Sequence, residues 1–118
     1  MYQISFYVPE ADLEIVKNAM FDAGAGQFNN YENCAWQTTG IGQFKPVGDA
    51  NPTIGVLDEL EAIEEYKVEM MCVDDNLQMA IEAMKFAHSY EQVAYTVIKM
   101  ENLWMHLTNT ALCSAYWS

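Results

Sequence analysis

Twice along this chain a strand-like alternation of side chains gives way, across a short break, to a helical repeat, and that double switch restricts the available folds more than any other feature. Residues 2 to 8 alternate Ile4, Phe6 and Val8 with Gln3, Ser5 and Tyr7, the period of a half-buried strand, and Pro9 stops it. Residues 10 to 23 then place Leu13, Val16, Met20 and Ala23 on one helical stripe, with Glu10, Asp12 and Glu14 at the end where the helix dipole favours negative charge. Gly24 is expected to close this helix, because glycine takes the left-handed conformation without steric cost. The second switch runs from strand-like residues 66 to 73, past Asp74 and Asp75 as expected caps, into residues 76 to 87. There Leu77, Ala80, Ile81, Met84 and Ala87 recur at helical spacing, and residues 93 to 98 read as a last strand.

Between the two units, residues 27 to 56 carry Phe28, Tyr31, Trp36 and Phe44 punctuated by glycine, asparagine and proline, which predicts strands joined by turns. Gly24, Gly26, Gly40, Gly42 and Gly55 are read as structural turn or bulge positions, since neither Gly24-Ala25-Gly26 nor Gly40-Ile41-Gly42 continues into a nucleotide-binding motif. The acids Asp58, Glu59, Glu61, Glu64 and Glu65 have the pattern of a solvated face. The resulting order of elements is that of an α+β, ferredoxin-like split βαβ fold. It has an antiparallel sheet, two helices on one face and an elaborated central hairpin.

A length of 118 residues with 52% hydrophobic side chains accommodates one domain, 1–118, with a real core. Its last part, 103–118, is an apolar extension holding Leu103, Trp104, Met105, His106, Leu107, Leu112, Tyr116 and Trp117, a segment costly to leave in water. Eight methionines, six of them at Met70, Met71, Met79, Met84, Met100 and Met105, are read as core filling.

The charge excludes more than it identifies. Seventeen acids against five lysines and no arginine give a formal net charge of -12, which repels nucleic-acid backbones and anionic membrane surfaces. Neither nucleic acid nor membrane is therefore an expected partner, and no stretch reaches the roughly 20 apolar residues of a membrane helix. Three widely spaced cysteines, Cys34, Cys72 and Cys113, without a Cys-x-x-Cys pair, point to a reducing, cytoplasmic setting.

No serine or cysteine stands beside a base in a nucleophile arrangement, so no catalytic residue is assigned. The side chains able to ligate a metal are His88, Glu91, Glu69, Cys34 and Cys72, with His88 and Glu91 sharing the turn before the last strand. One histidine and one glutamate do not make a site, and a lone imidazole is more often structural.

Three stretches together resemble a known family: Ala23-Gly24-Ala25-Gly26 followed by Tyr31, Cys34 and Trp36; Thr39-Gly40-Ile41-Gly42-Gln43-Phe44-Lys45-Pro46 with Gly48, Ala50, Asn51, Pro52, Ile54 and Gly55; and His88-Ser89-Tyr90-Glu91-Gln92-Val93-Ala94-Tyr95. The joint pattern resembles the middle, PII-like domain of YqfO-type members of the Nif-three (NGG-one-interacting factor) family, over about residues 1 to 102. In such proteins the domain lies between two halves that supply a dinuclear metal site and a cyclohydrolase-like label. Neither half has a counterpart here, so the chain looks like a stand-alone version and the enzyme label is not expected to transfer. Where relatives usually carry proline after the histidine of the last turn, this chain has Ser89, which is expected to loosen that turn. A more distant similarity is to CutA, through Tyr31, Trp36, Gly40 and the turn at His88.

The resemblance implies a PII/CutA-like homotrimer, formed where sheet edges meet, acting as a non-enzymatic regulatory or interaction module. A protein or small molecule would bind in clefts lined by Tyr31, Trp36, Phe44, Tyr90 and Tyr95. The alternative implied is a CutA-like divalent-metal protein, holding Zn or Cu through His88, Glu91, Cys34 and Glu69.

Overall fold

The computed structural model describes residues 1–101; the apolar extension 103–118 and its His106 lie outside the described residues. Four strands form one antiparallel sheet: β1 (Tyr2–Val8), β2 (Trp36–Phe44), β3 (Glu61–Cys72) and β4 (Tyr95–Lys99), in spatial order β2-β3-β1-β4. Helix α1 (Glu10–Asp22) connects β1 to β2 across β3, and α2 (Leu77–Ala87) connects β3 to β4 across β1. This is the split βαβ arrangement, with β1 and β3 paired from Tyr2 opposite Cys72 to Val8 opposite Tyr66.

Period decides what is buried. Ile4, Phe6 and Val8 of β1 and Val68, Met70 and Cys72 of β3 face the helices, where Leu13, Val16 and Met20 of α1 meet Ala80 and Met84 of α2 in a single cluster. The other phase, including Gln3, Ser5 and Tyr7, faces away from the helices. Of the methionines read as core filling, Met70 and Met84 are fully buried, but Met79 stands on the outer side of α2 and is exposed.

Helix α1 ends in a Schellman motif. Ala25 N–H donates to the Met20 carbonyl and Gly24 N–H to that of Phe21, both at 3.0 Å, with Gly24 at φ +100°. Helix α2 departs from expectation at its start. Asp74 and Asp75 fall in a short 3₁₀ turn, Asp74–Asn76, and no side chain caps the helix that follows. Asp74 instead pairs with the Met1 amino group, which holds its carboxyl below the usual range.

The central region is simpler in strands and longer in reach than its composition predicts. Residues 27 to 56 contain one strand, β2, plus an isolated bridge between Phe28 and Tyr31. The acids at 61 to 65, exposed or half-buried, also form the first half of β3, paired with β2 from Gly40 opposite Glu65 to Phe44 opposite Glu61. Strand β1 stops at the level of Tyr66. From there onward β2 and β3 continue as a two-stranded arm, closed by the loop at 45 to 60.

Candidate functional site

Where the arm leaves the sheet, its loop folds back toward the turn at 88 to 94 and encloses a groove of about 430 Å³, the size of a small-ligand site. Tyr7 from β1, Glu65 from β3, Phe44 and Pro46 from the arm, and Tyr90 from the turn line it. The walls are mostly apolar. Tyr7 reaches the groove because it occupies the strand phase opposite the core residues Phe6 and Val8.

The turn is fastened on three sides. Ser89 donates from its backbone N–H to Asp12 of α1 at 3.1 Å, and from its hydroxyl to the same carboxylate oxygen. Glu91 accepts the Asn51 N–H, 3.1 Å from Oε2, and Thr53 Oγ1 donates to the Ser89 carbonyl at 2.7 Å, so the arm loop is latched to the turn. Ser89 thus contributes two hydrogen bonds, one through a backbone N–H that proline lacks.

His88 lies beneath the groove, only 6% exposed. Its Nε2 is 2.8 Å from the Tyr7 carbonyl oxygen, which can only accept, so that nitrogen carries the proton. Its Nδ1 accepts the Tyr90 N–H at 3.1 Å. The imidazole is neutral with both nitrogens engaged, and its ring packs 4.6 Å from that of Tyr90. It positions two groove residues without lining the groove itself.

Two polar groups stand out here, one sealed behind the groove wall and one on it. The Tyr90 hydroxyl is buried and has no hydrogen-bond partner. Burial, together with the nearby charges of Glu65 and Asp12, pushes this phenol up to about 12. Burial also raises the Glu65 carboxyl. Gly42 makes room for the Glu65 side chain, which occupies the space a Cβ would fill.

The residues named from sequence separate into groups. Phe44, Tyr90 and Glu91 meet at the groove, with His88 behind them. Trp36 stands opposite Glu69 far along the sheet, Tyr31 belongs to the small bridged loop, and Tyr95 lies under Lys85, whose Nζ is 5.0 Å from the ring centre. Glu69 is engaged by Gln3 at 3.0 Å and Lys67 at 3.5 Å, while the Cys34 thiol, raised by burial, points to the Glu32 carbonyl. Among the described residues no three histidine, cysteine or acidic side chains gather in a group able to hold a metal ion. Sequence reasoning missed Tyr7 and Glu65; the out-of-phase tyrosine in β1 was the available signal for the first, and nothing distinguished the second from its acidic neighbours.

No family model matches the chain. A Listeria innocua protein named GTP cyclohydrolase 1 type 2 homolog is 45% identical over 100 residues, covering 84% of this chain and 27% of its own length. A Bacillus cereus protein related to NIF3 superposes with a TM-score of 0.73 at 34% identity, over 86% of this chain and 26% of that one. The periplasmic divalent cation tolerance protein CutA from Archaeoglobus fulgidus shares the fold at 15% identity, with a TM-score of 0.62 over 86% of this chain and 85% of its own. The chain therefore spans about a quarter of the first two proteins and most of the third. Among the described residues, no helix is long and apolar enough to cross a membrane. The chain has the PII/CutA-like ferredoxin-type fold and resembles, over most of its length, one segment of the NIF3-related proteins named GTP cyclohydrolase 1 type 2 homologs.

Proposed function

We propose that this chain is a self-associating PII-like regulatory or interaction module whose recognition site is the groove between arm and turn. The observation that carries the reading is the pairing of an apolar groove of about 430 Å³ with the half-buried Glu65 carboxyl, which forms no ion pair among the described residues. Burial disfavours the Glu65 charge, so a ligand that pairs with it gains affinity.

Self-association is supported by the sheet face that carries no helix. Trp36 at 56% exposure and Ile98 at 53% stand on that face, and β2 and β4 are the sheet's two edges. A homotrimer joined at these edges is the assembly the fold likeness favours. The described cysteines, Cys34 and Cys72, are free, which fits a reducing cytoplasm.

The competing divalent-metal reading draws on the CutA likeness and gains nothing from the arrangement of its donors, since His88, Glu91 and Glu69 are already engaged within the protein. Native mass spectrometry of the full chain from a chelator-free preparation tests both readings. Three copies per particle without metal are expected. A monomer overturns the module, and a stoichiometric Zn or Cu ion lost on His88→Ala substitution replaces it with the metal reading.

A further inference from the structure

We infer that the groove takes a small organic ammonium, its charged head held by the Glu65 carboxylate and its apolar body lying along Phe44 and Pro46. The inference rests on the reading of the groove as a recognition site. Glu65 is half-buried, and no described residue gives it a hydrogen bond or an ion pair; Lys45, a cation on the groove wall, forms no ion pair with it.

The ligand's charge follows from what surrounds the head position. Glu65 and Asp12 act on the Tyr90 phenol from nearby, Glu91 lines the same groove, and the whole chain carries a formal net charge of -12. An anion would meet repulsion at long range and again on entry. A neutral alcohol would leave the carboxylate without a counter-charge. An ammonium donates an N–H to Glu65 and supplies the missing charge, while the rings of Tyr7 and Tyr90 on the groove wall favour a cation beside them.

The test compares 2-phenylethylamine, 2-phenylethanol and phenylacetate, matched in apolar body and different in charge, titrated at neutral pH into the full chain and followed by NMR shifts of groove residues. The amine is expected to bind at least about ten-fold more tightly than the alcohol, the scale of one charge-assisted hydrogen bond, with the carboxylate weakest. Glu65→Gln removes a charge that burial disfavours and is expected to keep the fold while abolishing the amine's advantage. Tyr90→Phe retains the ring, removes only a hydroxyl sealed from the groove, and is expected to leave amine binding unchanged.

Equal affinity for amine and alcohol, or an advantage that survives Glu65→Gln, overturns the ammonium assignment and leaves the groove as a site for neutral ligands. Binding of none of the three probes also overturns it. Sedimentation of the same samples keeps the two readings apart, because a monomer overturns the module whatever the probes do.

Discussion

Both ring nitrogens of His88 are committed, one to the Tyr7 carbonyl and one to the Tyr90 amide, and a substitution there exposes what the imidazole holds together. His88→Ala strands a carbonyl and an N–H in a nearly closed site, with an expected loss of about 2–3 kcal/mol in urea unfolding. The Tyr90 hydroxyl is the opposite case. It has no partner to lose, so Tyr90→Phe is expected to cost no stability at pH 7. The difference appears in base: with its phenol raised from 10.0 to about 12, the folded wild type retains a proton that the unfolded chain releases. Stability from this group is complete below pH 10 and declines as pH rises toward 12, and urea midpoints across that window are expected to fall less steeply in Tyr90→Phe than in wild type.

At the scale of elements, the helix end and the arm latch make separate contributions. Gly24 sits at φ +100° with the Asn76 side chain where a Cβ would go, so Gly24→Ala combines a left-handed backbone penalty with a displaced amide. An overall loss of about 1–2 kcal/mol is expected, read as a lower urea midpoint at unchanged slope. The arm loop hangs on Glu91 and Thr53, two contacts remote from the core. Glu91→Gln combined with Thr53→Ala is expected to speed amide exchange over residues 45 to 55 by about ten-fold while leaving the core amides of β1 and β3 unchanged. A uniform rise in exchange would show instead that the latch supports the whole fold.

For the whole molecule, the helix-free sheet face and the helical face make different offers to a partner. Phe86 is 94% exposed on α2, two turns along from the exposed Met79, and scattered exposed apolar residues of this kind are ordinary. Trp36 lies near the edge of the open sheet face, where a second copy could add both area and strand pairing. Trp36→Glu is expected to weaken self-association by more than ten-fold in sedimentation without changing the monomer's unfolding midpoint. An unchanged assembly would move the interface elsewhere.

Local periodicity alone determined β1, both helices and the order of elements, because period two and period 3.6 are properties of neighbouring residues and need no knowledge of what lies across the fold. It also placed Gly24 at the end of α1, where backbone sterics admit few other residues. The start of β3 at Glu61, ahead of the strand read from residue 66, was missed for the same reason: strand character there comes from pairing with Gly40 to Phe44, a partner about twenty residues away. The groove was half legible. Phe44, Tyr90 and Glu91 stood out by type, but Tyr7 and Glu65 join them only because a split βαβ sheet sets β1 against β3 and turns the arm back over both. Even the state of His88 is tertiary: the Tyr7 carbonyl, far away in sequence, decides which ring nitrogen holds the proton and so makes the imidazole a fastener.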